Sequence, residues 1–338
     1  VVLCSAGIGF AQVSLSATTT ANVNVRAGAG TQHPDIGDLA ANAAIIVEGR
    51  NEAGDWVLMR AGDLRGWVAA RFLTFAPDAD LNALAVSAEQ FAAVDYGTMD
   101  AVRAAPIIPR MTGRGYAIYE AGRALGNDPQ RFSKVGDCQN VSQFFLGNFD
   151  RGAYSLGSYA NLQPTISYFA GSWGRDSASV SNGFNIYSTL DPSWAGTGCL
   201  SGENPLECEY RLWRPSFVIV SLEITYGLTA QGYAGALRQI LDYWIENGVV
   251  PIVATKPDNR EGDWSVNAAI ARVAWEYDVP LWNFLMATQP LPDFGLSDGF
   301  HLTFAPDDFS DPTNLQFGWA QRNLTALQTL HAIRTAVS

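Results

Sequence analysis

Residues 216–223 read SFVIVSLE, and the four central positions are an unbroken apolar run, Phe217-Val218-Ile219-Val220. A strand half exposed to water alternates apolar and polar residues. One covered on both faces does not, and such strands belong to parallel sheets whose crossovers are helices. The flanking sequence supplies the helices. TAQGYAGALRQILDYWIENG (229–248) places apolar residues at 233, 237, 240, 241 and 244, a stripe at helical spacing, with Gly248 where a C-terminal cap belongs. VVPIVATK (249–256) reads as the next strand, SVNAAIARVAWEYD (265–278) as a helix, VPLWNF (279–284) as a strand and 314–338 as a closing helix. Upstream, GYAIYEAGRAL (115–125) is helical up to Gly126, and RFSKVGD (131–137) is extended. This alternation predicts an α/β domain over 111–338, a doubly wound parallel sheet with flavodoxin-like layering. Its site belongs at the carboxyl ends of the strands.

The first part of the chain has a different grammar. ANVNVRAGAG (21–30) alternates before a Gly-rich loop, AAIIVEGRNEAGDWVLMR (43–60) is two apolar runs around a turn, and RGWVAARFL (65–73) closes the unit. A small all-β barrel over 18–75 is expected, with Val23, Val25, Ile45, Val47, Trp56, Val57 and Trp67 in its core. NVNVRAGAGT, GDWVLMR and GWVAARFL resemble, in order and spacing, the bacterial Src-homology-3-like domain. That resemblance implies an attachment module for peptidoglycan or other envelope material; a mere spacer is the alternative. Residues 76–110 are Ala- and Pro-rich without a period and read as a linker that partly wraps the following domain.

With 338 residues, 48% of them apolar, 16% charged and 10 of them Trp, the chain has ample material for a large core. Its net charge of −12 leaves no basic stripe for nucleic acid and disfavours an anionic membrane surface. No stretch is long and apolar enough for a transmembrane segment. VVLCSAGIGFAQ (1–12) reads as the tail of a secretory signal, with Gly9 and Ala11 at the −3 and −1 positions, and 1–17 is expected to be its remnant. Cys199 and Cys208 flank the loop CLSGENPLEC, a natural place for a local disulfide contributing about 2 to 3 kcal/mol. If Cys4 leaves with the signal, Cys138 is the odd thiol. These features favour a secreted or extracellular protein, possible cell-surface association included; oligomeric state is not legible.

Four segments fall where a doubly wound sheet puts its chemistry: GDC (136–138), NGF (182–184), EITYG (223–227) and DGFHLT (298–303). Together they resemble the four blocks of the SGNH, or GDSL, hydrolase superfamily over roughly residues 130–338. The resemblance implies an esterase. It puts the nucleophile's Ser on Cys138, the Gly oxyanion donor on Gly183, and the Asp and His of the triad on Asp298 and His301. The third block is rewritten: its Gly falls on Glu223 and its side-chain donor Asn on Thr225, next to Tyr226. A thiol is a competent nucleophile once its pKa falls, and a helix N-terminus beside a histidine would lower it. Glu223 acts in the opposite sense, disfavouring the thiolate and holding His301 as imidazolium. Asp137 and Glu223 are thus the expected tuning carboxylates; nothing else supports using them as a glycosidase pair.

Two functions follow from these residues. The first is a secreted acyl-ester hydrolase with Cys138 as nucleophile, His301 as base, Asp298 orienting it, and the Cys138 amide, Gly183 and Thr225 binding the oxyanion. The substrate would be polysaccharide or cell-envelope material, with no cofactor and no metal. The second is a catalytically inactive binding or structural protein that retains the fold. Among weaker features, KPDNREGD (256–263) reads as a solvated loop, with Lys256 facing substrate as the alternative. APDDFSD (305–311) reads as an acidic cluster at a helix N-terminus. Trp173, Trp194, Trp213 and Trp264 are candidates for stacking on sugar rings, most of them expected in the core.

Overall fold

The computed structural model describes residues 13–33, 35–62, 64–91, 98–225 and 227–338. The candidate signal segment 1–12, and Tyr226 in the third block, lie outside the described residues. The rest form two compact units, one on each side of residues 92–97.

The first unit is a seven-stranded antiparallel sheet: β1 (Leu15–Thr19), β2 (Val23–Arg26), β3 (Asp35–Leu39), β4 (Ala44–Arg50), β5 (Trp56–Ala61), β6 (Leu64–Ala69) and β7 (Leu73–Phe75). The strand order is β3-β2-β6-β5-β4-β1-β7. β1 begins at Leu15, ahead of the boundary expected at residue 18, and pairs with both β4 and β7. Strand alternation sorts the apolar residues into two clusters. Val23, Val25, Ile45, Val47, Val57, Met59 and Val68 meet inside. Trp56 and Trp67, expected in that core, instead form a second cluster with Leu58 and Ala69. Positions 56 and 58 on β5 face opposite to 57 and 59, and Leu58 lies directly across from Trp67.

The stretch read as a linker is divided between the units. Leu84 is buried in the barrel core and residues 85–91 lie along the tryptophan cluster. Beyond residue 97, α1 (Met99–Ala104) belongs to the second unit, where Asn283 Nδ2 donates to the Val102 and Ala105 carbonyls. A period-based reading misses this because the segment is held by single contacts and main-chain bonds rather than by one face.

The second unit continues with α2 (Gly113–Ala124), β8 (Asp128–Gly136), α3 (Gly147–Arg151), α4 (Gln163–Tyr168), α5 (Pro205–Trp213) and β9 (Pro215–Ser221). Then come α6 (Ala230–Glu246), β10 (Val250–Ala254), α7 (Ser265–Glu276), β11 (Leu281–Trp282), α8 (Phe284–Thr288) and α9 (Gly318–Ala336). The sheet is parallel, in the order β11-β10-β9-β8, and every residue of β9 and β10 is buried, as strands covered on both faces must be. On the far side of β8 the chain at Ser179–Ser181 adds a single parallel bridge, Gly136 N donating to Ser179 O and Ser181 N to Gly136 O. The chain therefore goes from β8 to one side, then crosses to β9 on the other. That reversal makes the carboxyl end of β8 the topological switch point, where doubly wound sheets place their sites.

The long helix α6 starts on Thr229, whose side chain accepts from Gly232 N, and stops at Gly248, at φ 67°. Gly122 of α2 sits so near that turn that a Cβ on it would lie 1.9 Å from the Gly248 carbonyl oxygen. The closing helix begins at Gly318, so the acids of 305–311 are not at its N-terminus. Asp307 is instead buried, accepting from Asn148 and Asn323, while Asp308 and Asp311 cap local turns. Cys199 and Cys208 form a disulfide, and Glu203 ties the loop between them to Leu200 N and Arg211.

Candidate active site

β8 ends on Gly136 because nothing larger fits: a Cβ there would lie 2.1 Å from the Asn140 side chain. Asp137 is fully buried. One carboxylate oxygen accepts from Gln139 N (2.9 Å) and the other from Glu223 N (2.6 Å) and Ile224 N (3.0 Å). Those bonds staple the end of β9 to the end of β8 and close Cys138–Asn140 into one tight turn. Burial pushes the Asp137 carboxyl up, and the amides of Gln139 and Glu223 oppose it.

Cys138 is half-buried at the apex. Its thiol is pushed up to about 11, first by burial and then by the Asp137 and Glu223 carboxylates. The expected lowering does not occur, because Cys138–Asn140 is a single turn and not the start of an α-helix, so no macrodipole stands behind it. Among the described residues no hydrogen bond joins Cys138 to His301.

Glu223 does not face the histidine either. It is buried in a 2.5 Å ion pair with Arg322 of α9, whose other terminal nitrogen donates to Ser221 Oγ (2.8 Å) and lies 3.5 Å from Asn140 Oδ1. The guanidinium lies over the rings of Phe145, Phe284 and Trp282, at 4.8, 5.0 and 5.6 Å. Burial raises the Glu223 carboxyl to about 7; Arg322 opposes that shift and Asp137 adds to it. Sequence reasoning missed Arg322. Its signal was a charged residue between Trp319 and Ala326 on the apolar side of α9, which requires a buried acid, and Glu223 lies two residues beyond the most apolar strand.

His301 and Asp298 are built from local backbone. Leu296 and Leu302 bridge, Ser297 N donates to His301 O (2.8 Å), and Gly299 takes φ 79° at the bend. Asp298 Oδ1 accepts from the Phe300 and His301 amides, and Oδ2 meets His301 Nδ1 at 2.7 Å. The His301 side chain and amide hold the Asp298 carboxyl down at about 2. Both side chains are open to solvent, 60% for His301 and 54% for Asp298. The two halves of the site are joined by Gln139, whose Nε2 donates 2.8 Å to the Phe300 carbonyl.

Gly183 is exposed at φ 85°, two residues beyond the bridge at Ser181, and Phe184 after it packs edge-on against the exposed Trp194. Trp173 is core; Trp213 is held between the guanidinium groups of Arg131 and Arg175. Thr225 is buried. The loop 256–263 is not solvated at its root: Lys256 is buried and paired to Asp258 (2.9 Å) and Glu261 (2.7 Å), so it does not face a substrate. Among the described residues the one cluster with metal-ligand spacing is Cys199, Glu203 and Cys208, and its two sulfurs are joined in the disulfide.

An α/β domain with a candidate site at its switch point thus follows a small antiparallel β-unit. Residues 21–74 match the family model described as Bacterial SH3 domain, and the N-terminal unit is such a domain. Among solved structures a GDSL-like lipase from Bacteroides thetaiotaomicron VPI-5482 is similar at 13% identity, over 64% of this chain and 97% of that one, with a TM-score of 0.37. No curated protein matches the chain. Among the described residues no helix is long and apolar enough to cross a membrane.

Proposed function

We propose that the chain is a secreted acyl-ester hydrolase acting on polysaccharide or cell-envelope material, with its SH3 domain as the attachment module. The observation that carries this reading is the Asp298–His301 pair. Its imidazole is already oriented through Nδ1, with Nε2 left as the reacting nitrogen, on a loop whose Phe300 carbonyl accepts from Gln139, the residue after Cys138. With the thiol at about 11, the nucleophile is not a resting thiolate. His301 Nε2 takes the thiol proton as Sγ attacks the ester carbonyl, and the carbonyl pair moves onto oxygen, where the Cys138 and Gly183 amides stabilise it. The alcohol leaves with the proton from His301. Water, deprotonated by the same nitrogen, then cleaves the thioester and restores the thiol.

Turnover of a short-chain chromogenic ester by the wild type, beside Cys138→Ala, tests this. Activity lost with the thiol supports it; equal background rates in both proteins overturn it. The raised thiol and the buried Thr225 favour a second reading, a binding protein that retains the fold, and equal background rates would leave that reading standing.

A further inference from the structure

The tryptophan face of the SH3 domain is already occupied, by the protein's own chain. β1 pairs with β4 only as far as Val47, so the edge of β4 beyond it is open to another strand. Residues 85–87 take that edge in parallel: Arg50 N donates to Ala85 O (3.0 Å) and Ser87 N to Arg50 O (2.8 Å). The segment then crosses Trp67, whose indole Nε1 donates to Glu89 O (2.8 Å), and ends with Phe91 N donating to Ala27 O (2.8 Å). Arg65 grips two side chains of the segment. It pairs with Glu89 at 2.5 Å and stands over the Phe91 ring at 5.5 Å, and Glu48 holds it from behind at 2.7 Å. Beside the segment a groove of about 420 Å³ remains, lined by His33, Asn51, Glu52 and Trp67.

Edge pairing through main-chain bonds, one aromatic floor and one charged clamp are the elements by which β-augmenting domains bind peptides. The segment has no periodic stripe of its own, and it is the last described stretch of the first unit. We propose that residues 85–91 are an intramolecular ligand. They close a peptide-binding face of the SH3 domain, and a peptide partner is an extended strand bearing an acidic residue and, two positions later, an aromatic one. Charge and spacing both come from the bound segment: Glu89 meets the Arg65 guanidinium, and Phe91 packs beneath it.

The test uses the full chain and a fluorescent peptide of the sequence AVSAEQF. The variant Glu89→Lys/Phe91→Ala loosens the segment while leaving the strands of the sheet untouched. It should bind the peptide at least about ten-fold more tightly than the wild type, whose tethered copy competes at a local concentration of about millimolar. Adding Arg65→Ala to that variant should abolish binding. A folded variant that binds no better than the wild type overturns the proposal. Hydrogen exchange of the wild type decides the case if the variant does not fold. The amides of Ser87 and Phe91 should exchange through local opening, at least about ten-fold faster than those pairing β5 with β6. Exchange of both sets at one rate would make 85–91 an ordinary part of the sheet and overturn the proposal.

Discussion

At the end of β8, Asp137, Gln139 and Asn140 are buried and bonded to β9, α9 and the histidine loop, while across the Gln139–Phe300 bond His301 and Asp298 stand in solvent on their own short hairpin. The buried side is fastened by contacts that also hold the domain together. On the exposed side, the bonds that set the Asp298–His301 pair itself are local, and Gln139 reaches across to it. A change on the first side should therefore register in stability and one on the second in turnover, a separation that can be broken experimentally.

The largest effect expected is Asp298→Asn. It preserves the shape of the hairpin but withdraws the acceptor that fixes the His301 tautomer, and ester turnover should fall by about 10²–10⁴ with the melting temperature unchanged. A melting point that falls with activity would show that the exposed half is structural too. Next comes Arg322→Ala, which leaves Glu223 buried beside Asp137 without a counter-charge. Urea denaturation should show a loss of about 3–5 kcal/mol, largely recovered when Glu223→Leu is added. Loss of activity without loss of stability would move Arg322 from the frame of the site into its chemistry.

The smallest effect is a slope. The Glu223 carboxyl is raised to about 7 in the folded protein, so the folded state holds a proton there that the unfolded chain has released above its ordinary value of 4.5. The stability this contributes is full below pH 4.5 and is lost as pH rises through 7. Melting temperature should decline across that window, and Glu223→Gln should flatten the decline. An unchanged slope in the variant would assign it to other groups.

Much of this was legible in the sequence, for identifiable reasons. β9, β10, α6 and α7 announce themselves by apolar runs and stripes because each is covered by the layers around it. Cys138 and His301 stand out as candidates through their neighbours, Gly136-Asp137 and Asp298. What stayed hidden depends on contacts distant in the chain. The strand fragment at 179–181 is too short and too rich in serine to signal a strand. The pairing of Arg322 with Glu223 joins α9 to β9, and no local pattern encodes it. Trp56 and Trp67 were correctly read as buried but put on the wrong face, since their cover comes from a segment whose sequence resembles a linker.

The Arg322 network also has a consequence in time. Its ion pair spans 99 residues and its reach to Asn140 spans 182. Contacts this distant must wait for the intervening loops to close. During synthesis, β8, β9 and β10 leave the ribosome before α9 exists, so Glu223 and Asn140 must await their partner while the sheet forms. The candidate site is finished only once α9 has been made, and a chain interrupted before residue 322 would carry Cys138 and His301 without the frame around them.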